Sequence, residues 1–328
     1  MVFAEHLQQT FQPHNLPHGN PTTDNPNENT DCNYKIRNVT KKEIKQLIKA
    51  IKTKKAPGYD LINGIIIKEL PDKAIRMITI IFNAIFRLQY FPSTWKLAEV
   101  IMLPKPNKNV HEPSSYRPIS LLPTLSKILE KTVLVRLKEI ITKYQLIPDH
   151  QFGFRDKHAT TEQIHRIVKH IITAFENKKY CSVLFLDIEK AFDKVWHEGL
   201  LQVIKKLIPD ALYQLLKSYL TNRTFYVKIK DSHSDVKLID AGVPQGSVLG
   251  PILYTLYTAD IPTTPDSSIS TFADDTAIVA VHEDPKEVTN SLQKHIYLLE
   301  KWKFFSWSST FSTCFRFKHR LFKPTGIF

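Results

Sequence analysis

Apolar and polar positions change period several times along this chain, and each change marks an element. From Thr40 the residues Ile44, Leu47, Ile48 and Ile51 recur at helical spacing, Thr40 and Glu43 fit a capping box, and Pro57-Gly58 ends the run. Helical spacing returns from about Asp72 to Gln89, Pro123 to Lys143 and Thr161 to Glu176, and again in EVTNSLQKHIYLLEKW. Between these lie AEVIMLP, CSVLFLD and TFYVKIK, short runs rich in β-branched and aromatic residues that predict strands. Two more strand arms flank Asp274 and Asp275 in STFADDTAIVA, residues 270–280. The order is helix, strand, two helices, strand, helix, strand and hairpin, which predicts an α+β fold with helices on an antiparallel sheet.

The two ends lack this patterning. Residues 12–33, QPHNLPHGNPTTDNPNENTDCN, carry almost no large apolar groups to offset the entropy of ordering, so residues 1–34 are read as a polar leader and linker. Residues 304–328 are read as an aberrant tail: from Lys303 onward seven of 26 residues are Phe, with no clear period of 3.6 or 2.

Composition narrows the partner. With 328 residues, 42% of them hydrophobic, the chain can bury one large core or two smaller ones. Lys and Arg number 45 against 32 Asp and Glu, a net charge of +13 that favours an anionic partner such as nucleic acid. Cys32, Cys181 and Cys314 are few, odd in number and widely spaced, which suggests neither a disulfide framework nor a zinc cluster and fits a reducing, intracellular setting. No apolar run approaches the roughly 18 residues of a membrane span, so no membrane partner is expected.

The candidate chemistry sits in the hairpin. Asp274 and Asp275 repel one another inside an apolar frame, and an uncompensated buried carboxylate is costly. A solvated turn is one answer, since Asp is a good turn former. A divalent cation is the other. The strand CSVLFLD also finishes on a carboxylate, Asp187. If the two segments neighbour each other in one sheet, Asp187, Asp274 and Asp275 converge at its edge as hard oxygen donors suited to Mg²⁺. Asp193 competes with Asp187 but lies beyond the strand end and reads better as a structural acid.

LFLDIEKAFDKVWHEGLL, AGVPQGSVLGPILYTLYTADIP and FADDTAIVA, in that order, resemble the A, B and C motifs of reverse transcriptases, specifically of jockey-type non-LTR retrotransposons. KKAPGYDLI, VIMLPKPNK, SYRPISLLPTLSKILEKTVLVRL and HQFGFRDKHATTEQI resemble the same family, so the similarity runs from about residue 40 to 302. The resemblance implies a right-hand polymerase with fingers and palm over residues 35–303, core motifs within 96–282, and no recognisable thumb. It implies RNA-directed DNA synthesis on an RNA template from a DNA primer and dNTPs, in a nucleoprotein particle of the nucleus or cytoplasm. It also implies two Mg²⁺, with Mn²⁺ as a substitute.

The site residues follow from the same resemblance. Asp187 and Asp274 would bind the metals with help from the Ile188 carbonyl, and Asp275 would support them. Phe192 would lie under the incoming sugar, where a bulky ring clashes with a 2′-hydroxyl, although the same ring also suits a core. Gln245 and Gly246 would touch the incoming nucleotide, and Lys105 and Arg117 would hold its triphosphate unless they are ordinary solvated charges. Gln151, Gly153 and Arg155 would lie along the template. Two rivals remain: a catalytically silent remnant that only binds nucleic acid, and an RNA-dependent RNA polymerase, which should lack a bulky gate at Phe192.

Overall fold

The computed structural model describes residues 2–13, 34–302 and 315–322. Along the chain run α1 (Val2–Thr10), α2 (Lys41–Lys49), α3 (Gly64–Lys68), α4 (Asp72–Leu88), β1 (Leu97–Pro104), β2 (Tyr116–Leu121) and α5 (Thr124–Tyr144). Next come α6 (Thr160–Glu176), β3 (Tyr180–Ile188), α7 (His197–Leu207), α8 (Asp210–Leu220), β4 (Arg223–Ile229), β5 (Ser232–His233) and β6 (Lys237–Ile239). The series closes with α9 (Gly250–Tyr257), β7 (Ser268–Phe272), β8 (Asp275–His282), α10 (Pro285–Lys301) and β9 (Phe315–Phe322). The fold is mixed α/β. The chain divides into two compact units, the first holding described residues 2–13, 34–145 and 192–253, the second 146–191, 254–302 and 315–322.

The first unit is built on a sheet of order β2-β1-β4-β5, with β6 also paired to β4. β1 runs antiparallel to β2 but parallel to β4, so this sheet is mixed; the antiparallel sheet expected from the sequence is that of the second unit. Ala98 and Val100 of β1 and Phe225 and Val227 of β4 form a core that Ala4, Leu7 and Phe11 complete. The expected leader is thereby corrected too: α1 and Phe11 pack on this sheet, while 14–33 lie outside the described residues. Thr40 caps α2 by accepting the Glu43 N–H (3.2 Å), but the Glu43 side chain does not complete the capping box. Its carboxylate instead takes the guanidinium of Arg136, a fully buried residue of α5 whose Nη2 donates to Oε2 at 2.9 Å. A buried cation is costly unless paired, and this pairing outweighs the local cap.

The second unit holds the antiparallel sheet β7-β8-β3-β9. Leu184 and Leu186 of β3 and Ile278 and Ala280 of β8 face Val288, Leu292 and Leu299 of α10, whereas Cys181, Val183, Ala277 and Val279 face Ala174 of α6. Both faces are covered, which is why β3 and β8 are apolar nearly throughout instead of alternating. Burial pushes the Cys181 thiol up to about 11. β9 corrects the reading of the tail: Phe315–Phe322 pairs with β3 over eight positions, from Cys181↔Phe322 to Ile188↔Phe315. The remainder of the tail lies outside the described residues.

Candidate active site

The ladder between β7 and β8 closes at Phe272↔Asp275, so Ala273 and Asp274 form a two-residue loop. Ala273 sits at φ 59°, in the left-handed region that hairpin loops usually assign to glycine, at a cost on the order of 1 kcal/mol. Such strain persists only where the surroundings over-determine it, and here they do. Gln151 is buried against the loop: its Oε1 accepts the N–H of Ala273 (3.0 Å) and of Gly153 (2.7 Å), and its Nε2 donates to the Ala273 carbonyl (3.2 Å). A Cβ on Gly153 would lie 2.1 Å from the Ala273 nitrogen, so only glycine permits this approach. Residues 150–153 dock beside β7 like an added strand, with the Thr271 N–H donating to the His150 carbonyl (2.9 Å) and the Phe152 N–H to the Thr271 carbonyl (2.9 Å). Gln163 Nε2 ties both carbonyls from α6, at 2.8 and 3.0 Å.

This loop carries the acids. In the β3–β8 register Leu186 opposes Thr276, which brings Asp187 level with Asp275 on the α6 face of the sheet. Asp187 and Asp275 are exposed and Asp274 half-buried. Burial, and then the charges of Asp275 and Asp187, hold the Asp274 carboxyl above the ordinary carboxylate range, and burial and Asp187 do the same to Asp275. A cavity of about 470 Å³ opens on this face, lined among others by Asp187, Asp275, Phe185, Thr160 and Lys318. Among the residues whose side chains are described, no cation stands within ion-pair distance of the three carboxylates, and Arg316 of β9 pairs opposite Asp187 in the sheet register. The donor set is all-oxygen and suited to a hard divalent cation. It is not a finished cage: among the described residues no group of three or more acids, His or Cys stands close enough to hold a metal. The expected convergence thus holds for sheet register and electrostatics, not for closure to coordination distance. Ile188 ends β3 opposite Phe315, with its side chain against the α10-side core.

Arg155 bends back on its own segment, its Nη1 donating to the Pro148 and Gln151 carbonyls at 3.2 and 3.3 Å. Gln151, Gly153 and Arg155, expected along the template, spend these contacts on holding the 148–153 segment and the acidic hairpin. The sequence reading missed Tyr254, a buried residue whose hydroxyl is pushed up by burial and then by Asp274; it shares a lining with Gln151 and Ala273. It stands in an apolar run, and nothing in its spacing set it apart from core.

The residues expected to bind nucleotide lie together in the first unit. Lys105 and Arg117 sit on the β1–β2 hairpin, where Leu103 pairs with Arg117. Arg117 is exposed, while Lys105 Nζ donates to the Ser114 carbonyl at 2.8 Å. The loop 241–248 lies against β2: the Ser120 N–H donates to the Gln245 carbonyl (2.8 Å), and Gly246, at φ 110°, has no room for a Cβ beside the Ser120 oxygen. The same loop is bonded to the segment after β3, through the Val243 N–H to the Phe192 carbonyl (2.8 Å) and Gln245 Nε2 to Asp193 Oδ1 (2.9 Å). Asp193 is buried, in keeping with a structural acid. Glu130 of α5 went unnoticed in the sequence; fully buried, its Oε2 accepts the N–H groups of Val248 (2.7 Å) and Leu249 (3.0 Å) and the Tyr219 hydroxyl (3.3 Å). An acid at the buried stripe of α5, in line with Val133 and Leu137, was the available signal.

The reverse transcriptase (RNA-dependent DNA polymerase) family profile matches residues 103–305. The chain is 42% identical over 315 residues, 92% of its length, to the probable RNA-directed DNA polymerase from transposon BS of Drosophila melanogaster. It is 42% identical over 312 residues to the RNA-directed DNA polymerase from mobile element jockey of the same fly, and 44% identical over 272 residues to that of Drosophila funebris. These alignments cover 34%, 34% and 30% of the relatives, so the chain spans about a third of their length.

Proposed function

Since the chain belongs to the reverse transcriptase (RNA-dependent DNA polymerase) family, we propose that it performs the polymerase step of a jockey-type mobile element, extending a DNA primer on an RNA template with dNTPs. The observation that carries this reading is the strained, Gln151-held hairpin that carries Asp274 and sets Asp275 level with Asp187, with the Asp274 and Asp275 carboxyls held above the ordinary range. In this reading the unit with β7-β8-β3-β9 is the palm and the unit with the β1–β2 hairpin contributes fingers.

Asp187 and Asp274 would hold two Mg²⁺, which when bound neutralise charge on the reacting phosphates and make the primer hydroxyl easier to deprotonate. The chain's own groups do the remaining work. Asp275 supplies negative charge on the same sheet face, and Gln151 fixes the loop backbone from which Asp274 projects. Arg117, exposed and forked, suits bidentate contact with a triphosphate, and Lys105 directly follows the Pro104–Tyr116 pair that ends the same ladder. The Phe192 ring excludes a 2′-hydroxyl. Gln245, held by Asp193, and Gly246 form the floor of the nucleotide pocket. The setting would be an intracellular nucleoprotein particle. The silent-remnant alternative draws on one observation, the unfinished metal cage.

Primer extension with RNA and DNA templates, each with dNTPs or rNTPs, tests the reading. Metal-dependent dNTP incorporation on RNA supports it. Nucleic-acid binding without any extension points to the remnant, and a preference for rNTPs points to an RNA polymerase.

A further inference from the structure

An acid in the middle of a long helix ordinarily faces water, and Glu130 of α5 does not. It is fully buried, and its contacts reach far along the chain: Oε2 accepts the N–H groups of Val248 (2.7 Å) and Leu249 (3.0 Å) and the Tyr219 hydroxyl (3.3 Å), while Oε1 accepts the Ser126 hydroxyl at 3.5 Å. Val248 and Leu249 lead directly into α9 at Gly250, so the carboxylate stands at the positive end of that helix. A buried cation answers it. Arg223, at the start of β4, is fully buried; its Nη1 donates to the Tyr219 carbonyl (3.1 Å), and its guanidinium lies 4.6 Å from the centre of the Tyr219 ring. Among the described residues its Nε and Nη2 have no hydrogen-bond partner, so Arg223 contributes charge here more than bonding.

The residues so held gain their interest from what precedes them. Gln245 and Gly246, the floor of the nucleotide pocket in the polymerase reading, lie between two anchors. On one side the Ser120 N–H donates to the Gln245 carbonyl (2.8 Å) and Asp193 accepts from the Gln245 side chain (2.9 Å). On the other side, two residues beyond Gly246, the anchor is Glu130. Gly246 sits at φ 110°, where glycine has wide conformational freedom, so the path of the loop is set by these anchors and not by its own side chains.

We propose that Glu130 is a positioning residue for the incoming nucleotide: it fixes the backbone that presents Gln245 and Gly246, and through them it sets the KM for dNTP. This inference rests on the polymerase reading. Two buried N–H groups left without an acceptor are costly, so loss of the carboxylate releases the loop from its place instead of leaving it there unbonded. Asp187 and Asp274 belong to the other unit and the hairpin of Asp274 has its own support in Gln151, so the effect falls on nucleotide binding and not on the metal.

Steady-state primer extension by the full chain and its Glu130 variants tests this. Glu130→Met removes the acceptor at similar volume and should raise the KM for dTTP by about tenfold or more, the scale of one lost hydrogen bond to a charged group, with kcat and Mn²⁺ affinity within about twofold of wild type. Glu130→Gln keeps an acceptor oxygen and should recover part of that loss. Glu130→Met also leaves Arg223 as an unopposed buried cation, which costs stability. The neutral pair Glu130→Met/Arg223→Met removes that cost, so it should melt near wild type and still show the raised KM; should the single variant not fold, the pair carries the test. A purely structural role predicts that KM returns to wild type together with the melting temperature, and that result overturns the proposal. So does a fall in kcat and Mn²⁺ affinity with KM unchanged. A wild-type chain that extends no primer overturns the polymerase reading and this inference with it, whereas normal extension with an unaltered KM in the folded variant overturns this inference alone.

Discussion

The hairpin at Asp274 and the loop 241–248 are both irregular backbone held from behind by one buried polar side chain, yet the two holders differ in charge. Gln151 grips the hairpin as a neutral amide, accepting from two N–H groups and donating to one carbonyl. Glu130 grips the loop as an acid, accepting from two N–H groups. A buried carboxylate behind Asp274 would add to the burial and the neighbouring acidic charge that already raise two carboxyls. Behind the loop the same group is tolerated, because the Leu249 N–H, Arg223, the Val248 N–H and Lys127 oppose the penalty of its burial. The neutral support thus stands behind the acids of the hairpin, and the acidic one behind a loop with Lys127 and Arg223 near it.

The largest effect should come from the acids themselves. Asp187→Asn or Asp274→Asn should reduce primer extension to background while leaving the melting temperature near wild type, because charge is lost with little change in volume. Next is the holder: Gln151→Met keeps the side-chain length but removes three hydrogen bonds, and kcat and metal affinity should each fall by about 10- to 100-fold, as for groups that orient metal ligands. The KM for dNTP should hold steady if Lys105, Arg117, Gln245 and Gly246, which belong to the other unit, bind the nucleotide; a KM change with unaltered metal affinity would place Gln151 along the substrate instead.

Phe192→Val should raise ribonucleotide use relative to deoxynucleotide use, read as the ratio of kcat/KM values. An unchanged ratio in a folded variant would return the ring to the core. The smallest expected effect is on pH, and it touches both regions. His295 is fully buried, with Nδ1 on the Ser267 hydroxyl (2.7 Å) and Nε2 on the Pro262 carbonyl (3.0 Å) ahead of β7, and His197 Nε2 donates to the Gly242 carbonyl (2.7 Å). Burial lowers both imidazoles below the ordinary histidine value, so the folded chain binds fewer protons than the unfolded one. Stability from these groups is present above the ordinary value and lost as pH falls from there through the lowered folded values. Thermal melts from neutral to mildly acidic pH should show this decline, and His295→Gln should flatten it.

What could be read in the sequence was local. The period of α4 ended within a residue of its observed bound because Gln89 takes the left-handed cap position. The strand arms around Asp274 were legible from their apolar runs and the turn-forming acids. β2 was missed because Pro118 argues against a strand; its edge position tolerates the missing N–H. β9 escaped because only its distant partner makes it a strand, whereas β1 and β4 were legible as strands and only their parallel pairing was not. The polymerase motifs placed the acids, but the roles of Gln151 and Glu130 depend on contacts spanning 122 and 118 residues, which no local pattern records.

The central claim, that the acids on β3 and the β7–β8 hairpin form a cation site, is tested most directly by Mn²⁺ binding followed through water-proton relaxation. Wild type should bind Mn²⁺ in competition with Mg²⁺, and both Asp187→Asn and Asp274→Asn should lose that binding while remaining folded. Unaltered Mn²⁺ affinity in either folded variant would contradict the account.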